Sequence, residues 1–231
     1  LSRYILLDAQ RSGLHWIFAC AALMATTLGL FLAQLGVTEK LDIQLATTTS
    51  ALRLTFVFIT AIWVCAHIIR EKQDQSIHLL LTLPLRRYEF IFGKLLAMGI
   101  ISFIGAVMAA IPLAAIQFDH HLIMWVGSLC MELWMVAGSA LLCAAAMKYV
   151  TQALAAVTSF YLLSRSISAM VLMSDTTDYA SSKVPDTIIA WLVNTIAYLL
   201  PPLDQFTNSA WLIHHSISAS TWMVLLVQAI I

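Results

Sequence analysis

A run of polar residues, Arg70–Lys94 (REKQDQSIHLLLTLPLRRYEFIFGK), lies between two apolar stretches, Ala51–Ile69 and Leu95–Ile116. Each flank is about twenty residues long, enough to cross a bilayer as a helix. A chain built this way must fold as membrane-spanning helices with the polar run held at one surface. The run carries five of the twelve Lys and Arg residues: Arg70, Lys72, Arg86, Arg87 and Lys94. Within it, Ile77, Leu80 and Leu81 fall on one face at helical spacing. Lys72, Gln73 and Asp74 give this short helix a polar start. Pro84 ends it, because the residue before a proline is pushed out of the helical region. Arg86, Arg87 and Glu89 begin a second helix that enters the next span. Leu79-Leu80-Leu81 and Leu83-Pro84-Leu85 form an apolar projection of a kind soluble loops rarely need. It implies a protein partner.

Composition sets the class. The chain is 61% hydrophobic and 10% charged, against roughly 25% charged residues in soluble domains. Net charge is zero, so no nucleic-acid partner is indicated. Cys20, Cys65, Cys130 and Cys143 all fall in apolar stretches with no CxxC spacing. They read as small buried hydrophobes, not a metal site or disulfide framework. No cleavable signal peptide is evident. The chain does not begin with Met and its last apolar run is short, so completeness of both ends stays open.

In order, Leu1–Ser12 alternates Leu1, Tyr4, Ile5 and Leu7 with Arg3, Asp8, Gln10 and Arg11, the pattern of an interfacial helix. Spans are expected at about Leu14–Leu35, Ala51–Ile69, Leu95–Ile116, Leu122–Ala146 and Thr151–Met173, with a last one from about Ile217. Glu39, Lys40 and Asp42 read as a loop, and Lys148 marks a tight turn. Pro112 within the third span is tolerable in a membrane helix. Ser174–His215 is polar, with Asp175, Asp178, Lys183, Asp186 and Asp204. Thr187–Leu200 is about fourteen residues, short for a span and suited to a re-entrant or interfacial helix. The expectation is an all-α polytopic protein of one domain with six spans. Seven spans would follow if Thr187–Leu200 crossed. With six, Arg3, Arg11, Arg70, Lys72, Arg86, Arg87, Lys94 and Lys148 share one side, and Lys40 and Lys183 the other. The excess of positive charge assigns the termini and the Arg70–Lys94 run to the cytoplasm.

The loop also resembles that of a known family, the ATP-binding-cassette exporter permeases of the second type. The resemblance is carried by Arg70-Glu71, Ser76-Ile77, Leu79-Leu80, Pro84-Leu85-Arg86 and Gly93-Lys94-Leu95-Leu96. The chain departs from the family at Gln75, where glycine is common, and at Leu81, which lengthens the leucine run. Leu200–Phe206 resembles the copper-enzyme-maturation branch. The resemblance implies a cytoplasmic coupling helix, an external helical hairpin before the last span, and a location in the cell membrane, as in bacterial inner-membrane exporters. It also implies that Arg70, Glu71, Ile77, Leu80, Leu81, Pro84, Arg86 and Arg87 engage a separate ATPase subunit. A six-span subunit of this kind is half a transporter, paired with a second copy or a sister permease. A haem-exporter-like subunit for cytochrome maturation is the nearest alternative. A membrane-embedded metalloenzyme using His120-His121 and His214-His215 is an alternative of another class.

No GxxxxGK[ST] phosphate loop occurs, since Gly93-Lys94-Leu95 lacks the earlier glycine and the hydroxyl. ATP would therefore be hydrolysed on a partner, and no cofactor is expected. Small residues such as Ala106, Ala109, Ala110, Gly138, Ser139 and Ala140 allow close helix approach. The tryptophans sit mostly near span ends, as an aromatic belt does. The cargo is not readable, although few charges in the spans favour an apolar or amphipathic one. Two of those charges stand out. Glu132 lies roughly 15 Å below the outer start of the fourth span and Arg165 roughly 12 Å below the outer end of the fifth. Equal depth on adjacent spans predicts an intramembrane ion pair, Glu132 with Arg165. Pinning the two helices is the favoured reading of it, and lining the translocation path the functional one.

Overall fold

The computed structural model describes residues 2–35, 40–74, 87–116 and 120–176, with side chains omitted at a few helix ends. Six helices account for nearly all of these residues: α1 (Ser2–Arg11), α2 (Leu14–Leu35), α3 (Lys40–Gln73), α4 (Arg87–Ile116), α5 (His120–Ala146) and α6 (Val150–Thr176). No strand occurs among the described residues. Four helices, α2 to α5, are long and apolar enough to cross a membrane. The expected final span and the Thr187–Leu200 segment lie outside the described residues.

The helices are longer than the apolar runs that mark them. Helix α3 has 34 residues, some 50 Å at 1.5 Å per residue. It takes in Lys40 and Asp42, which the sequence assigns to a loop. It also takes in Arg70–Gln73, which the sequence assigns to the start of a separate coupling helix. The reason is local. Arg, Glu, Lys and Gln are good helix formers, nothing between Ile69 and Gln73 breaks the backbone ladder, and Asp74 N–H still donates to Arg70 C=O at 2.9 Å. Helix α4 runs unbroken from Arg87 to Ile116, with Pro112 inside it.

Helix α1 ends where Gly13 turns with φ of 69°, a conformation glycine adopts at little cost. The Ser12 hydroxyl donates to Ala9 C=O at 2.9 Å, closing the last turn before α2 departs. Helix α3 is the hub, packing on α2, α4, α5 and α6, and α5 in turn packs on α4 and α6. Their shared core contains Leu52, Phe56, Trp125, Leu129 and Leu133, all fully buried. Phe18 of α2 stacks on Phe56 with ring centroids 4.7 Å apart. At Gly29 the α2 and α3 backbones approach so closely that an added Cβ would run into the Thr48 hydroxyl. Leu23, Met24, Phe31, Ile111, Ile123 and Leu142 point outward and stay exposed. In a bilayer, lipid tails solvate such side chains as well as a core would.

Candidate functional site: a buried charge network and a polar clasp

Two polar constellations stand out from this apolar frame. The first lies inside the bundle, on α3, α5 and α6. Arg53 of α3 and Glu132 of α5 form a salt bridge of 3.1 Å with both side chains fully buried. The second arm of the Arg53 guanidinium donates to Ser128 Oγ at 2.9 Å. The same guanidinium lies 5.2 Å from the centre of the Trp125 ring, within cation–π range. Trp125, Ser128 and Glu132 share one face of α5 because they are three and four residues apart. On the far side of Glu132, the Tyr161 hydroxyl donates to Oε1 at 2.8 Å. Arg165, one turn along α6, donates to that hydroxyl at 3.0 Å.

The order along the network is therefore Arg53, Glu132, Tyr161, Arg165. The expected direct pairing of Glu132 with Arg165 is corrected: Arg53 takes the carboxylate, and Arg165 reaches it through Tyr161. Tyr161, one turn before Arg165 on α6, stands between the two. Arg53 lies within the second expected span, but sequence spacing does not pair it with Glu132, 79 positions away. In the structure α3 begins at Lys40, so Arg53 stands well inside the helix. The Trp125-Ser128-Glu132 stripe was the available signal.

An isolated charge near mid-bilayer costs about 2.5–3.5 kcal/mol, so burying Arg53 and Glu132, with Arg165 half-buried beside them, demands mutual compensation. The described network sets two guanidiniums against one carboxyl group. Its chemistry is that of a polar seam.

The second constellation lies at the Gln73 end of α3. Glu71 forms a salt bridge with Lys94 of α4, and both side chains are largely buried. Lys72 donates to the carbonyl of Ala144 at 2.7 Å and also to that of Ala145, at the end of α5. A cation there satisfies orphan carbonyls and complements the negative end of the helix dipole. Adjacent residues thus tie α3 to α4 and α3 to α5, and Glu71 and Lys94 flank segment 75–86 in the sequence. Of the expected coupling residues, Glu71 is in this clasp and Arg70 is exposed on the opposite face, toward α1. Ile77, Leu80, Leu81, Pro84 and Arg86 lie outside the described residues, and Arg87 opens α4 with its side chain undescribed.

A family model described as an ABC-2 family transporter protein matches residues 7–175. The chain belongs to that family. The match spans α2 to α5 entirely, with half of α1 and nearly all of α6, and agrees with a multi-pass membrane protein. No curated protein matches the chain. The ABC-2 assignment makes the protein a transport component, and places its interest in how helices move and what holds them.

Proposed function

We propose that this chain is the permease subunit of an ATP-driven exporter. It works with a separate ABC ATPase subunit and with a second permease, either its own copy or a sister chain. The ABC-2 family match carries the reading. Support comes from the clasp: Glu71 and Lys94 flank segment 75–86 in the sequence, Lys72 ties the same end of α3 to the α5 carbonyls, and Leu80, Leu81 and Pro84 of that segment are the expected apolar knob. A push on that segment by the ATPase would reach α3, α4 and α5 together through these ties. Helix α3 would carry the motion inward to Arg53 and so to the buried network. The knob and both termini face the cytoplasm in this reading, on the balance of Lys and Arg. Helix α1 lies along the membrane interface, with Ile5 and Ala9 turned to the bundle. The residues invoked by the metalloenzyme alternative, His120, His121, His214 and His215, and the Leu200–Phe206 stretch that resembles the copper-enzyme-maturation branch, lie outside the described side chains.

The test is coupled turnover. The chain and its ATPase are co-reconstituted in proteoliposomes, and ATP hydrolysis is compared with that of the isolated ATPase. The expected result is a stable complex whose hydrolysis is lost when Leu80 and Leu81 are both changed to Asp, with the permease still folded. Unchanged recovery of the complex together with unchanged turnover would refute the reading.

A further inference from the structure

A pocket of about 410 Å³ opens between α1 and the end of α3. Trp63, His67 and Arg70 line it from α3, and Asp8, Arg11 and Ser12 from α1 and the turn after it. Its wall is built, not incidental. The Trp63 ring stacks on His67 with centroids 5.1 Å apart and planes 8° apart. The Trp63 indole N–H donates to Ser12 Oγ at 3.1 Å. His67 Nδ1 meets Asp8 Oδ2 at 2.9 Å, so the acid of the pocket is already engaged. Arg11 and Arg70 are exposed, and neither is held by a hydrogen bond or ion pair among the described residues. With Asp8 set against His67, the two guanidiniums leave the pocket positive whether or not the imidazole is charged.

We propose that this pocket holds the phosphate headgroup of an anionic phospholipid, with Arg11 and Arg70 as its ligands. Two guanidiniums suit a phosphate because each can offer parallel N–H donors to its oxygens. The volume falls in the range of pockets that hold small ligands. The depth argues for lipid over a soluble anion. Arg70 directly follows the apolar run that ends at Ile69, which is headgroup level for a spanning helix. Basic pockets between helices at that level recognise anionic headgroups. Acyl chains would find apolar surface nearby, since Leu7 of α1 and Trp16 and Ile17 of α2 are all exposed. The lipid would then fasten α1 to α3, beside the clasp but on its other face.

The chain is purified in detergent, delipidated and titrated with dioleoyl phosphatidylglycerol or dioleoyl phosphatidylcholine, and retained lipid is read by native mass spectrometry. One phosphatidylglycerol per chain should survive activation that strips phosphatidylcholine. Changing Arg11 and Arg70 together to Gln should weaken its binding by about tenfold or more, as expected when charge-assisted hydrogen bonds are lost. Lys40→Gln, at the other end of α3, should leave binding unchanged. Thermal melting checks that each variant is folded. Should the double variant fail to fold, Arg11→Lys, which keeps charge but loses the fork, should weaken binding by an intermediate amount, and wild-type affinity in it would count against the proposal. Equal retention of both lipids by the wild type, or full affinity in the folded double variant, would overturn it. Displacement of phosphatidylglycerol by millimolar inorganic phosphate would overturn the lipid as occupant and assign the pocket to a soluble phosphate.

Discussion

Removing Glu132 should damage this protein more than removing Arg53, although the two are partners in one salt bridge. The asymmetry follows from the third charge. Among the described residues, the network holds two guanidiniums and one carboxylate. Glu132→Gln leaves both cations inside the bundle and sets fully buried Arg53 against a neutral amide. Losing one member of a buried pair in this way costs about 3–5 kcal/mol. Arg53→Met removes a cation instead, and Glu132 keeps the Tyr161 hydroxyl at 2.8 Å with Arg165 just beyond it. That loss should be nearer the value of a charged hydrogen bond, about 1.5–3 kcal/mol. The double variant should be milder than the sum of the singles, with coupling of up to about 3 kcal/mol. The assay is reversible unfolding in mixed micelles, followed for the two singles and the double. A parallel cycle uses Arg165→Met. Glu132 should couple more strongly to Arg53 than to Arg165, because the latter acts through Tyr161. Additivity within about 0.5 kcal/mol, or stronger coupling to Arg165, would refute the reasoning.

Gly29→Ala should destabilise the protein by about 1–3 kcal/mol through overpacking, and adding Thr48→Ala should recover part of that in the same unfolding assay, since it removes the hydroxyl the new Cβ runs into while the Gln44 carbonyl oxygen stays 3.3 Å away. Gly138→Ala, where nothing lies within 4 Å of an added Cβ, should be neutral or mildly stabilising. Lys72→Met should cost about 1 kcal/mol by uncapping α5, with faster amide exchange confined to residues near Ala144. For topology, single cysteines replacing Lys148, Asp178 and Asp204 should label from outside the cell at the latter two only; labelling at 148 would reverse the orientation.

Much of the helical frame was legible because apolar runs of spanning length leave a chain little choice. The ends of α2 agree with the hydropathy of Leu14–Leu35, since Gly13 breaks the chain just before it. Hydropathy misjudged α3 because it detects the oily centre of a helix, not its polar extensions over Lys40–Ser50 and Arg70–Gln73. Nothing in the hydropathy of Ala51–Ile69 sets Arg53 opposite Glu132, 79 positions away. Glu132 and Arg165 were both singled out by their cost in the membrane. Spacing alone could not show that Tyr161, one turn before Arg165, would stand between them. The clasp was legible as residues but not as contacts, since Glu71 and Lys94 are 23 positions apart and meet only because α3 and α4 pack side by side.

The central claim is that segment 75–86 docks an ATPase, and site-specific crosslinking tests it most directly. A photoreactive amino acid is placed at position 80 or 84, and at Ile123 as an outward-facing control, in cells that also express the ABC ATPase. Crosslinks to the ATPase from 80 and 84, absent from 123, are the predicted result. Absence of crosslinks at both 80 and 84 from a permease that still supports coupled ATP hydrolysis would contradict it.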